Sequence, residues 1–128
     1  MSSARQLEAI EVALRRRQKA ISYHGTTTIE QRKSGDSSCL IVEFEHRSFH
    51  TRLSAMFFLD GHLDLWISSG SRRRLGKQLL AVQGVWPLAD PAELVEAIVV
   101  SAKRCARLEA QDHQATLEQL QHRWKKLL

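Results

Sequence analysis

Asp60-Gly61 sits between two strand-like runs, TRLSAMFFL (51–59) and HLDLWIS (62–68). An Asp-Gly pair accommodates positive φ at two successive residues, as a type I′ hairpin turn demands. Flanked by alternating apolar residues, it is a strong local hairpin signal. The turn also sets a register that points Leu63, Leu65 and Ile67 to one side of a sheet. A chain built on this hairpin is organised around an antiparallel sheet, with the remaining segments as its cover.

Period-two alternation extends the pattern backwards. Leu40, Val42, Phe44, Leu53, Ala55, Phe57, Leu59, Leu63, Leu65 and Ile67 fall on one face, the expected core face. The other face mixes Ile41, Met56, Phe58 and Trp66 with Glu43, Glu45, Arg52, His62 and Asp64. A wet face is expected to be polar, so four large apolar residues there point to a cover. Three covers are open: the chain's own C-terminal tail, a second copy or other partner, or nucleic-acid bases stacked on Trp66 and Phe58. Residues 26–33 read as a weaker edge strand, its charges discouraging pairing with another chain. Ser34-Gly35-Asp36-Ser37 reads as a turn.

Helices flank this sheet. Leu7, Ile10, Leu14 and Ile21 recur at helical spacing over residues 3–23, and Gly25 suits a left-handed C-terminal cap. After the sheet, residues 69–77 read as a loop whose arginines lead into a short helix ending at Gly84. Asp90 then makes a good N-cap, with Pro91 at the first helical position and Glu93 completing a capping box. Leu94, Val95, Ile98, Val99, Ala102, Cys105 and Leu108 form the broad apolar face of the main core helix. The tail carries a second stripe, Leu117, Leu120, Trp124, Leu127 and Leu128. At about 100° per residue, Leu117 lies nearly opposite Leu108 on an unbroken helix. The two stripes cannot meet one surface unless the helix breaks, so the tail either turns back over the exposed sheet face or projects to pair with another chain.

The expected fold is α+β. An N-terminal helix precedes an antiparallel β-meander of three to four strands, a short basic helix, and a long C-terminal helix or helix pair packed on the sheet. Its 128 residues suffice for one domain, with 112–128 a tail that can pack separately. No apolar run approaches the roughly 18 residues of a membrane helix, and the N-terminal stretch has no secretory pattern. Cys39 and Cys105 lack C-x-x-C spacing and read as reduced buried thiols of a cytoplasmic protein.

A formal net charge of +5 favours anionic partners. The cations gather in two blocks: Arg15, Arg16, Arg17 and Lys19 on the first helix, and Arg72, Arg73, Arg74 and Lys77 after the sheet. Arginines at a helix start would add to its free N–H groups and positive dipole, making a phosphate or carboxylate site. The order of helix, antiparallel strands, glycine-serine loop and basic helix start resembles double-stranded RNA-binding domains over residues 39–83. Arg73-Arg74-Leu75-Gly76-Lys77 is similar to the Lys-Lys-x-Ala-Lys opening of that family's last helix. Leu79 and Leu80 depart from the family's small residues there. Trp86-Pro87-Leu88-Ala89-Asp90 resembles the lead into the last helix of small secretion-chaperone folds, which are usually acidic.

Catalytic patterns are weak. Cys39, His46, His50, His62 and Asp64 could be drawn into a metal or nuclease site, but no fixed spacing links them. No nucleophile elbow, phosphate-binding glycine loop or paired-carboxylate motif is present. The expectation is a non-enzymatic binding module without metal or cofactor. Its basic surface engages nucleic acid, or alternatively an acidic protein. A protein-interaction module (adaptor, inhibitor or chaperone-like) is the second reading, as a homodimer or with another partner, and a small enzyme such as a ribonuclease using His and Arg is the third. Its interface would use Ile41, Met56, Phe58 and Trp66 on the sheet with Leu117, Leu120 and Trp124 on the tail.

Overall fold

The computed structural model describes residues 3–33, 38–47, 51–69, 77–105, 108 and 113–128. Helix α1 (Ser3–Arg16) continues through a one-turn helix α2 (Gln18–Ile21) and a 3₁₀ turn (Ser22–His24). Five strands follow: β1 (Gly25–Arg32), β2 (Cys39–His46), β3 (Thr51–Phe58), β4 (His62–Ser69) and β5 (Gln78–Val85). Helices α3 (Pro91–Arg104) and α4 (His113–Leu127) complete the chain. The strands form one antiparallel meander in chain order, with β1 and β5 at its edges.

The expected α+β class holds, with two corrections. The meander has five strands rather than three or four. The run expected as a short helix ending at Gly84 forms β5 instead. Leu80, Val82 and Gly84 pair with Ile67, Leu65 and Leu63 on the core face, while Ala81, Gln83 and Val85 turn outward. A short apolar run fits either period, and the open side of β4 captured this one. The likeness to double-stranded RNA-binding domains fails here, because it required a helix at these residues. The Ser34–Ser37 turn, the arginines Arg72, Arg73 and Arg74, His50 and Arg107 lie outside the described residues.

The central hairpin forms, in a different turn. Phe57 pairs with Leu63, and the Gly61 N–H donates to the Phe58 carbonyl at 3.0 Å, so Leu59, Asp60 and Gly61 make a three-residue connection. Gly61 has φ of 100°, as the left-handed closing residue of such a loop requires. The Asp60 carboxylate accepts from the His62 N–H at 2.9 Å and secures the exit. Trp86, buried at the end of β5, donates from Nε1 to the same Phe58 carbonyl at 2.9 Å. Gly25 does not cap a helix in the left-handed region: its φ of −176° is extended, and it opens β1. A Cβ there would collide with the Glu45 carbonyl oxygen, so close approach between β1 and β2 accounts for glycine.

All the helices lie on one face of the sheet. The core-face residues expected from alternation are fully buried except Leu59, which is half-buried. Leu7, Ile10 and Leu14 of α1 join them, as do Leu94, Ile98 and Val99 of α3. Asp90 caps α3 by accepting the Ala92 N–H at 3.0 Å, with Pro91 following it. The α3 helix stops near Cys105, and α4 folds back. Leu120 and Trp124 are buried, with Leu117 packed at their margin. The Trp124 Nε1–H donates to Ser101 Oγ at 3.0 Å, and that hydroxyl donates to the Ala97 carbonyl at 2.7 Å. Leu128 sits against Gly84 on the core face of β5. No helix among the described residues is long and apolar enough to cross a membrane.

Candidate interaction surface

The tail's position leaves the other face of the sheet without a helix over it among the described residues. Cross-strand register arranges that face in rows. Glu30, Ile41, Met56, Asp64 and Gln83 form one; Thr28, Glu43, Ser54, Trp66 and Ala81 form the next. Cys39 pairs with Phe58 at one end, and Glu45 with Arg52 at the other. Apolar side chains therefore run obliquely from Cys39 and Phe58, through Ile41 and Met56, to Trp66 and Ala81. Ile41 is shaded by its neighbours and buried; Met56, Phe58 and Trp66 are half-buried; Ala81 and Val85 are exposed. Trp66 and Ala81 border a shallow hollow between β4 and β5 that Asp64, Gln78 and Gln83 complete.

Polar groups edge this band. His62 Nε2 lies 3.0 Å from Asp64 Oδ1, and the His62 ring stands 6.0 Å from that of Phe58. Glu30, Glu43, Glu45 and Asp64 outnumber Arg32 and Arg52 across the face. Burial pushes the Cys39 thiol above its ordinary pKa, with Arg32 partly opposing the rise. A buried, protonated thiol is a poor nucleophile, so Cys39 acts as a small apolar residue of the band.

The expected cationic site divides. Arg15 pairs with Glu11 at 3.2 Å and also donates from Nη2 to the Ile29 carbonyl at 3.3 Å. Arg17 pairs with Glu96 of α3 at 2.7 Å. Arg16 and Lys19 are exposed beside Gln18 and Ser22, their side chains without a hydrogen bond or ion pair to any described residue. Lys77 is exposed at the start of β5, where its backbone N–H donates to Ser69 Oγ at 3.2 Å. The α2 segment leads into β1, so Lys77 and the α1–α2 cations flank opposite edges of the sheet. Four strand spacings of about 4.8 Å separate those edges by roughly 19 Å.

Of the expected interface residues, Ile41, Met56, Phe58 and Trp66 share the open face. Leu120 and Trp124 lie in the core instead, with Leu117 beside them. The candidate chemical cluster is also dispersed. His46 stacks on His24 at the β1 start, at the far end of the sheet from His62. No group of three metal-ligating side chains comes together among the described residues. Ala81, Gln83 and Val85 were missed as surface residues because β5 was expected to be helical. The signal was present in Val82, Gly84 and Val85, which favour or tolerate a strand and weaken a helix. Comparison with protein-family models, curated proteins and solved structures finds no match to this chain.

Proposed function

We propose that the protein is a non-enzymatic interaction module, adaptor- or chaperone-like, that holds an apolar segment of another protein on the outer face of its sheet. The observation carrying this reading is the oblique band of Ile41, Met56, Phe58 and Trp66 on a face that no described helix covers. Such apolar continuity with a polar rim is the anatomy of a protein-binding surface. Trp66 and Phe58 supply large, rigid contact area of the kind that dominates interface energetics. The carboxylates beside them disfavour a phosphate backbone laid across the same aromatics.

A second reading, binding of nucleic acid, rests on the net charge of +5 and the exposed Arg16, Lys19 and Lys77. It is the weaker one, because Arg15 and Arg17 are engaged in ion pairs and Lys77 flanks the other edge.

The test is a photo-crosslinking amino acid placed at Phe58 in the producing cells, with a control placed at exposed Tyr23. The expected result is a discrete protein adduct from position 58 that disappears when Met56→Glu is added to the same chain. Equal adducts from both positions, or an adduct indifferent to Met56→Glu, would overturn the assignment to this face.

A further inference from the structure

The two edges of the sheet are finished differently. In an antiparallel ladder, alternate residues turn their backbone groups toward the neighbouring strand and away from it. On β1, the Arg47 N–H to His24 carbonyl bond of 3.1 Å fixes the phase, so Thr27, Ile29 and Gln31 face off the sheet. Side chains cover two of these groups: Gln18 donates to the Thr27 carbonyl and Arg15 to the Ile29 carbonyl, both at 3.3 Å. Glu30 and Arg32 add charge to that edge.

Among the described residues, the β5 edge has neither protection. The Trp86 N–H to Gly61 carbonyl bond of 3.0 Å fixes its phase and leaves Ala81, Gln83 and Val85 facing off the sheet. No described residue donates to or accepts from those outward backbone groups. The strand, QLLAVQGV, holds no charged residue and no proline. Folded proteins usually protect an exposed edge with one of these devices. Beyond the register shift opposite Ile67 and Ser68, the bare, neutral edge from Leu80 to Val85 is a template for another strand.

We propose that β5 is the self-association edge of this protein, pairing antiparallel with β5 of a second copy to make one continuous ten-stranded sheet. Neutrality selects the occupant. In any antiparallel register, a strand without charges sets no like charges against each other. A two-fold axis beside Gln83 places Ala81 of one copy opposite Val85 of the other, small and β-branched neutral side chains. Because α4 covers only the core face of β5 and the outer face stays open, pairing would also join the two apolar bands. This interface is distinct from the outer-face site of the proposed function, and either can hold without the other.

Proline offers a selective test. At Gln83 its ring removes an N–H that points off the sheet, so the β4–β5 ladder keeps its bonds. The same substitution at Gln31 does this on the β1 edge. Light scattering of the wild type is expected to give about 29 kDa, twice the 14.6 kDa chain. Gln83→Pro is expected to halve that mass with an unchanged far-ultraviolet circular dichroism spectrum, while Gln31→Pro stays dimeric. Should Gln83→Pro fail to fold, Gln83→Lys sets like charges against each other across the two-fold axis and is expected to give the monomer. A monomeric wild type, or a folded β5-edge variant that remains dimeric, would overturn the proposal.

Discussion

The guanidinium of Arg15 donates to the backbone carbonyl of Ile29, 14 residues away. A cation that reads in the sequence as a phosphate ligand is engaged in finishing a sheet edge. Its neighbour Gln18 does the same for Thr27, and Arg17 ties the end of α1 to α3 through Glu96. Much of the first basic block is therefore structural, which shifts the functional reading from charge toward the open sheet face.

Replacing Arg15 by Met keeps the apolar stem and removes the donor. About 1 kcal/mol of stability should be lost, the usual net worth of one partly exposed hydrogen bond. Chemical denaturation would register this as a lower midpoint with an unchanged slope.

The hairpin connection makes a sharper demand. With Gly61 at a φ of 100° and Pro87 beside it, a β-branched side chain meets both backbone strain and a neighbour 3.1 Å from its Cβ. Gly61→Val should cost on the order of 1–3 kcal/mol. Coincident denaturation midpoints for the variant and the wild type would show the turn to be different.

Thr27 offers a gain. Its hydroxyl is buried without a hydrogen-bond partner among the described residues. Thr27→Val keeps the shape and removes an unsatisfied polar group, so stability should rise by about 1 kcal/mol. A fall in melting temperature would mean that the hydroxyl is satisfied in solution.

Truncation distinguishes a packed tail from a projecting one. Leu120 and Trp124 belong to the core, and Trp124 bonds to Ser101. Deleting residues 113–128 should abolish the cooperative thermal transition and produce aggregation, since removal of large buried side chains costs about 3–5 kcal/mol each. A stable truncated chain would contradict the packing of α4.

Where sequence and structure agree, the determinants are local. Alternation through Leu40, Val42, Phe44 and Leu53, Ala55, Phe57 is a period written in adjacent residues, and Asp90-Pro91 carries its cap in its own chemistry. The apolar outer face was legible in the same alternation, through Met56, Phe58 and Trp66. Where they differ, the cause lies far along the chain. Gly25 is set by the carbonyl of Glu45, and β5 by the open side of β4. The docking of α4 beside β5 depends on Leu128 meeting Gly84, a contact that no periodicity announces. The cations misled for the same reason. Their partners Ile29 and Glu96 become neighbours only in the fold.

The central claim is that recognition belongs to the outer sheet face and not to the cations. Fluorescence anisotropy of labelled random-sequence RNA and DNA, titrated with wild-type protein at near-physiological salt, tests it most directly. No saturable binding is expected at micromolar protein. Saturable binding that is lost in Arg16→Ala with Lys19→Ala would contradict it, the more so with a log–log salt slope of about 0.9 per phosphate contacted on duplex DNA.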